Sequence, residues 1–304
     1  MVTNDPSPLP HTRPETPVGL SEPSAIEHHP RVFTPDDPPW GVWKALLSWC
    51  ISFVCLLLVP LVLLIPYFVY LALTTGMPTP EAISQDKTFL ILSVLGVIPA
   101  HVLTVAAIWP LITSWGRVPF WRSFGFTWPP PLGPWQGVGL CFAVAVLLLL
   151  LGLLVTNIVG GGKTQLDALI ESSYQARIIV AFLAFATAPL VEEVVYRGIL
   201  YPALQRALGV AWAIIIVSSL FAGVHVLQYY NNIGVIIVIT ILSITLTLIR
   251  AWSGRLLPTV VIHLIFNGIQ SLILVFEPLV RKSEKITPSI PGFTQLSTFL
   301  NHLF

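Results

Sequence analysis

From residue 45 to residue 80 the chain contains no Asp, Glu, Lys or Arg. The same is true between Lys87 and Arg117, and again from Val210 as far as Arg250. Stretches this long and this apolar are not the covering of a body in water. A helix that crosses a bilayer needs roughly 20 apolar residues at about 1.5 Å each. The expected fold is therefore all-α: a polytopic transmembrane helical bundle of seven to eight spans enclosing a polar intramembrane cavity. Composition agrees. Only 10% of the 304 residues are charged, against about 25% in soluble domains, and the mean hydropathy is +0.83. The bulk of the chain is too apolar to be disordered. With a net charge of +1 and no basic patch, it is no nucleic-acid binder.

The intervals place a first span at about residues 45–74, with Pro60 and Pro66 inside it, and a second at about 88–113. Trp115, Trp121 and Trp128 then mix with Pro, Arg117 and Arg122, which is the composition of a membrane–water interface. A third span covers about 135–158 and ends at Gly160, Gly161 and Gly162. A fourth apolar run starts at Arg177, meets Glu192, Glu193 and Arg197, and breaks near Gly209. The interval from Val210 to Arg250 holds two spans, with Gln228 to Asn232 as the turn between them. The last span, about 256–275, is closed by Glu277, Pro278 and the basic cluster Arg281, Lys282, Lys285. An eighth span would have to come from the Arg177 region or from residues 115–135.

Residues 1–41 are expected to form a Pro-rich flexible tail, with ten prolines before residue 41. Residues 42–276 form the transmembrane domain, and 277–304 a short C-terminal tail. No apolar h-region stands at the start, so no cleavable signal peptide is expected. Cys50, Cys55 and Cys141 lack the spacing of a metal or redox site and read as ordinary buried cysteines. Lys and Arg lean only slightly toward a cytoplasmic N-terminus. The expected setting is the cell membrane.

Ionisable groups inside spans are costly and are functional-site candidates by default. Glu193 and Arg197 are four residues apart on one helical face, whereas Glu192 points about 100° away. Arg197 can therefore compensate one carboxylate and leave the other. His225 ends an apolar helix behind Phe221, Ala222 and Gly223, and His263 and Asn267 share a face one turn apart. Singly, each is as well explained by a structural ion pair or a helix-to-helix polar clasp. Jointly they must be buried against one another, because lipid satisfies none of them. Such a chamber has the parts of a peptide hydrolase. A carboxylate takes a proton from water, and a histidine or the Asn267 amide meets the charge on the substrate carbonyl oxygen. Alternatively, Glu and His side chains hold a metal ion. There is no HExxH, and Ser218 and Ser219 lack any GxSxG or Ser–Lys context.

The three motifs, Glu192-Glu193-xxx-Arg197, Phe221-xxx-His225 and His263-xxx-Asn267, resemble in order and spacing those of the CPBP intramembrane proteases. That family includes CAAX-prenyl endopeptidases and bacteriocin-processing or immunity proteins. The resemblance covers about residues 110–276. It implies a membrane core of about eight helices in which Glu192 activates water with His225 beside it. It implies that Glu193 and Arg197 support the geometry, and that His263 and Asn267 bind the oxyanion. It also implies a second possibility: a divalent ion such as Zn, held by Glu192, His225 and His263. The partners implied are the bilayer and a membrane-associated or prenylated peptide or protein substrate. The competing expectation is a non-catalytic scaffold, immunity or peptide-binding protein that uses the same chamber.

Overall fold

The structure is a computed structural model and describes residues 34–286. Residues 1–33 and 287–304, which make up most of the two expected tails, lie outside the described residues. Among the described residues, seven helices are long and apolar enough to cross a membrane: α1 (Val42–Thr74), α2 (Lys87–Thr113), α3 (Pro134–Val159), α4 (Tyr174–Leu208), α5 (Val210–Tyr229), α6 (Ile233–Ser253) and α7 (Leu257–Ile286). The protein is thus an all-helical integral membrane protein. Among the described residues the only β pairing is an isolated bridge between Thr34 and Asp37. No eighth span is present there: residues 115–133 hold one short helix, Phe120–Phe124, and the Arg177 region is part of α4.

Local chemistry explains the boundaries. The Asp86 carboxylate caps α2 by accepting from Phe89 N–H at 2.9 Å, and the Tyr67 hydroxyl donates to it at 2.7 Å. Gly96 lets α2 lie against α1, since a Cβ there would stand 2.8 Å from Pro60 Cα. Gly209, at φ +85°, is the single residue that turns α4 into α5.

α7 does not stop at Glu277 as expected. It continues through Pro278 to Ile286. Proline has no N–H for the carbonyl four residues back, and here that carbonyl, Leu274, accepts from the Arg177 guanidinium at 3.2 Å. The same guanidinium pairs with Glu277. A side chain of α4 thus supplies what Pro278 removes.

α4 is itself irregular. Its turns widen to π-helix over Leu183–Thr187 and over Val194–Leu200, with an α-helical piece, Ala188–Glu193, between them. Each wide segment is followed two residues on by a proline, Pro189 and Pro202. A widened turn keeps the proline ring clear of the preceding carbonyls. The piece held between the two segments carries Glu192 and Glu193.

The last residues of the Pro-rich segment form an ordered strap. Arg250 of α6 is fully buried and donates to Asp36 Oδ1 at 2.6 Å and to the Pro35 carbonyl at 2.7 Å. Arg206 of α4 donates to Asp37 Oδ1 and to the carbonyls of Pro38 and Trp40. The Trp40 ring is buried beside Phe124, with centroids 5.6 Å apart, and its Nε1 donates to the Ile199 carbonyl at 3.1 Å. The strap thus grips α4 at its second π segment.

Two further features concern the lipid-facing surface. Cys141 is buried and Cys55 half-buried, but Cys50 is exposed, contrary to expectation. It lies on the outward side of α1, where lipid takes the place of a protein core. All ten tryptophans fall on one side of the bundle. They lie before or near the start of α1, near the end of α2, in residues 115–133, and at the α3 start, α5 start and α6 end. Trp43, Trp115, Trp135 and Trp252 are strongly exposed, as rings at a lipid headgroup boundary are.

The strap yields a differential prediction. Asp36→Ala leaves a buried guanidinium without its carboxylate and should cost about 2 kcal/mol, less than a fully buried pair because Asp36 is itself partly in water. Asp37→Ala, at a pair exposed on both sides, should cost under about 1 kcal/mol. Thermal unfolding of the two detergent-solubilised variants measures the difference. Equal shifts would refute it.

Candidate functional site

Adjacent residues of a helix point about 100° apart, and this separates the two carboxylates. Glu193 turns into the bundle and is fully buried. Its Oε1 accepts from Arg197 Nη1 at 2.9 Å and from His263 Nδ1 at 2.9 Å. Its Oε2 has no hydrogen-bond partner. Glu192 turns the other way and keeps 23% of its side chain exposed. Its Oε2 stands 3.8 Å from His263 Nε2.

Arg197 is the tie between helices. Besides Glu193, its guanidinium donates to the Ser243 hydroxyl at 2.7 Å, the Ser243 carbonyl at 3.1 Å and the Thr247 hydroxyl at 3.3 Å. It lies 4.5 Å from the Phe221 ring centroid, a cation–π contact worth about 2 kcal/mol when desolvated. One side chain of α4 therefore engages α5 and α6 directly and α7 through Glu193 and His263. Phe221 is the platform of the second motif: its ring lies 4.9 Å from that of His225 and 6.1 Å from that of His263.

The motif histidines are fixed by their Nδ1 atoms. The Nδ1 of His225 faces the Phe221 carbonyl at 2.8 Å. Since a carbonyl only accepts, the imidazole donates there and Nε2 is left free. The Nδ1 of His263 is held by the Glu193 carboxylate in the same sense. Asn267 divides its amide. The Ala188 N–H reaches back five residues to the Leu183 carbonyl. The next residue, Pro189, has no N–H to continue the pattern, and the carbonyl passed over, Ala184, accepts from Asn267 Nδ2 at 2.9 Å. One Nδ2 hydrogen and the amide oxygen remain.

These side chains front a cavity of about 690 Å³, whose walls include Glu192, His225, His263 and Asn267, with Leu153, Val238 and Leu242 on an apolar side. Glu193 and Arg197 are behind the wall. All six motif residues fall within one network or on one cavity. Ser218 is buried in α5 with no hydrogen-bond partner, as a packing residue. One residue absent from the sequence-based reading is His101 of α2, which lines the same cavity. An ionisable side chain in a charge-free span was its only signal.

The trio Glu192, His225 and His263 is not drawn together as a metal cradle. Among the described residues no group of three His, Cys, Asp or Glu side chains stands close enough to hold an ion. His263 Nδ1 is engaged by Glu193, which leaves Nε2 as its free ring nitrogen.

Residues 174–269 match the family model described as type II CAAX prenyl endopeptidase Rce1-like. The match runs from the start of α4 to two residues past Asn267, and so contains all three motifs. No curated protein and no solved structure matches the chain.

The network sets a stability prediction. Arg197→Ala leaves Glu193 as a buried carboxylate with His263 alone and should cost about 3–5 kcal/mol. Arg197→Lys restores the charge but not the planar fork that serves Glu193, Ser243 and Thr247 together, so it should recover only part of the loss. Thermal unfolding in detergent tests both; full recovery by lysine would refute the network.

Proposed function

We propose that this chain, an integral membrane protein whose residues 174–269 form a domain of the Rce1-like type II CAAX prenyl endopeptidase family, is an intramembrane endopeptidase acting on membrane-associated or prenylated proteins or peptides. The cell membrane is its proposed location. The observation that carries the proposal is the division of labour within the Glu pair. Glu193 is buried and tied through Oε1 to Arg197 and His263, while Glu192 fronts the cavity with no hydrogen-bonded partner of its own.

The chemistry follows from that geometry. A water in the cavity gives a proton to the Glu192 carboxylate, and its oxygen attacks the peptide carbonyl carbon. The carbonyl oxygen becomes an oxyanion, met by the second Nδ2–H of Asn267 and by Nε2–H of His263 in its imidazolium form. Glu193 holds His263 in place through Nδ1, and Arg197 holds Glu193. His225 stands beside the water with Nε2 free. Glu192 then passes its proton to the leaving nitrogen, the C–N bond breaks, and an acid and an amine are released. The apolar wall of Leu153, Val238 and Leu242 suits an aliphatic part of the substrate and keeps bulk water from the reacting atoms.

The test uses the purified full chain in detergent with an internally quenched farnesylated CAAX peptide and its unprenylated counterpart. Glu192→Gln should lower kcat about a hundredfold to ten-thousandfold while leaving the thermal midpoint unchanged, because Glu192 is not part of the Arg197 network. Equal cleavage by wild type and Glu192→Gln would overturn the mechanism. A folded wild type that cleaves neither peptide, yet binds one in the cavity, would favour a non-catalytic peptide-binding role.

A further inference from the structure

His101 is an ionisable group inside an apolar span, and the mechanism above leaves it unused. It is only 9% exposed and lines the same cavity as Glu192, His225 and His263. Its Nδ1 lies 3.0 Å from Thr187 Oγ1. The Thr187 hydroxyl in turn donates to the Leu183 carbonyl at 3.4 Å. A hydroxyl that gives its only proton there accepts from the imidazole, so the His101 proton sits on Nδ1 and Nε2 keeps its lone pair. The Nδ1 atoms of the two motif histidines are likewise held, by the Phe221 carbonyl and by Glu193. Three imidazoles from three helices thus share one cavity, each anchored through Nδ1. Thr187 precedes Glu192 by five residues on α4, and His101 and Glu192 line the same cavity.

We infer that His101 is a further catalytic residue: its Nε2 accepts a hydrogen bond from the attacking water while Glu192 accepts the proton that the water loses. With both hydrogens directed, the oxygen lone pair faces the substrate carbonyl. His101 forms and breaks no covalent bond. The proton taken by Glu192 goes to the leaving nitrogen, and the hydrogen held by His101 stays on the oxygen that enters the new acid. This inference rests on the peptidase reading.

The experiment measures kcat, KM and thermal midpoint for the full chain in detergent, with the quenched farnesylated CAAX peptide as probe. In His101→Asn the amide nitrogen stands in for Nδ1 and keeps the Thr187 contact, but nothing replaces Nε2. It should lower kcat about a hundredfold with KM and midpoint unchanged. His101→Gln, whose amide reaches the Nε2 position, should recover part of that loss. A kcat for His101→Asn within about twofold of wild type overturns the inference. So does a lost midpoint in both variants with no recovery of kcat in His101→Gln, which marks a packing role. Wild type that is folded and cleaves nothing overturns the peptidase reading itself, whereas wild type that cleaves alongside a fully active His101→Asn overturns this inference alone.

Discussion

A guanidinium with no access to water sets the terms for the rest of the molecule. Arg197 cannot be satisfied by lipid or by solvent, so its donors have to find oxygens within the protein. Ser243 and Thr247 of α6 and Glu193 of α4 supply them, and Phe221 of α5 covers the cation's face. His263 of α7 closes the arrangement through Glu193. In a bilayer the hydrophobic effect does not hold one helix to another. A buried ionic network has the directionality to fix four helices in one register.

The same network explains why two adjacent glutamates differ. One is needed to neutralise the cation and is withdrawn from chemistry. The other, rotated by the helix, is left to the cavity. The wide turns on either side of Ala188–Glu193 and the strap at Ile199 hold that short piece of helix in place. Asn267 joins the two themes, since part of its amide repairs the backbone that Pro189 interrupts and part faces the cavity.

Much of this was legible in the amino-acid sequence. Apart from the end of α7, the apolar intervals placed the spans within a few residues; the third was expected at about 135–158 and is Pro134–Val159. The three motifs announced which polar groups must meet, because buried charges have few alternatives to one another. Other parts were not legible for physical reasons. The strap joins Asp36 to Arg250 across 214 residues, and a Pro-rich composition carries no trace of such a distant partner. His101 is the one ionisable residue between Lys87 and Arg117, with no second ionisable group at helical spacing to mark a shared site. The wide turns of α4 had a sign in Pro189 and Pro202, since a proline inside a long apolar helix must be accommodated somewhere. α7 shows the other solution, an arginine lent by a neighbouring helix.

The one-sided placement of the tryptophans bears on reach. Indole rings settle at the headgroup boundary and resist moving along the bilayer normal. Since those of Trp43, Trp115, Trp135 and Trp252 all lie on one side, they gauge the vertical position of the whole bundle from a single leaflet. Glu192 lies midway along a helix of that bundle, so its depth below that leaflet is set by rings that never touch it. The depth at which the Glu192 carboxylate meets the cavity is thereby measured against one membrane surface.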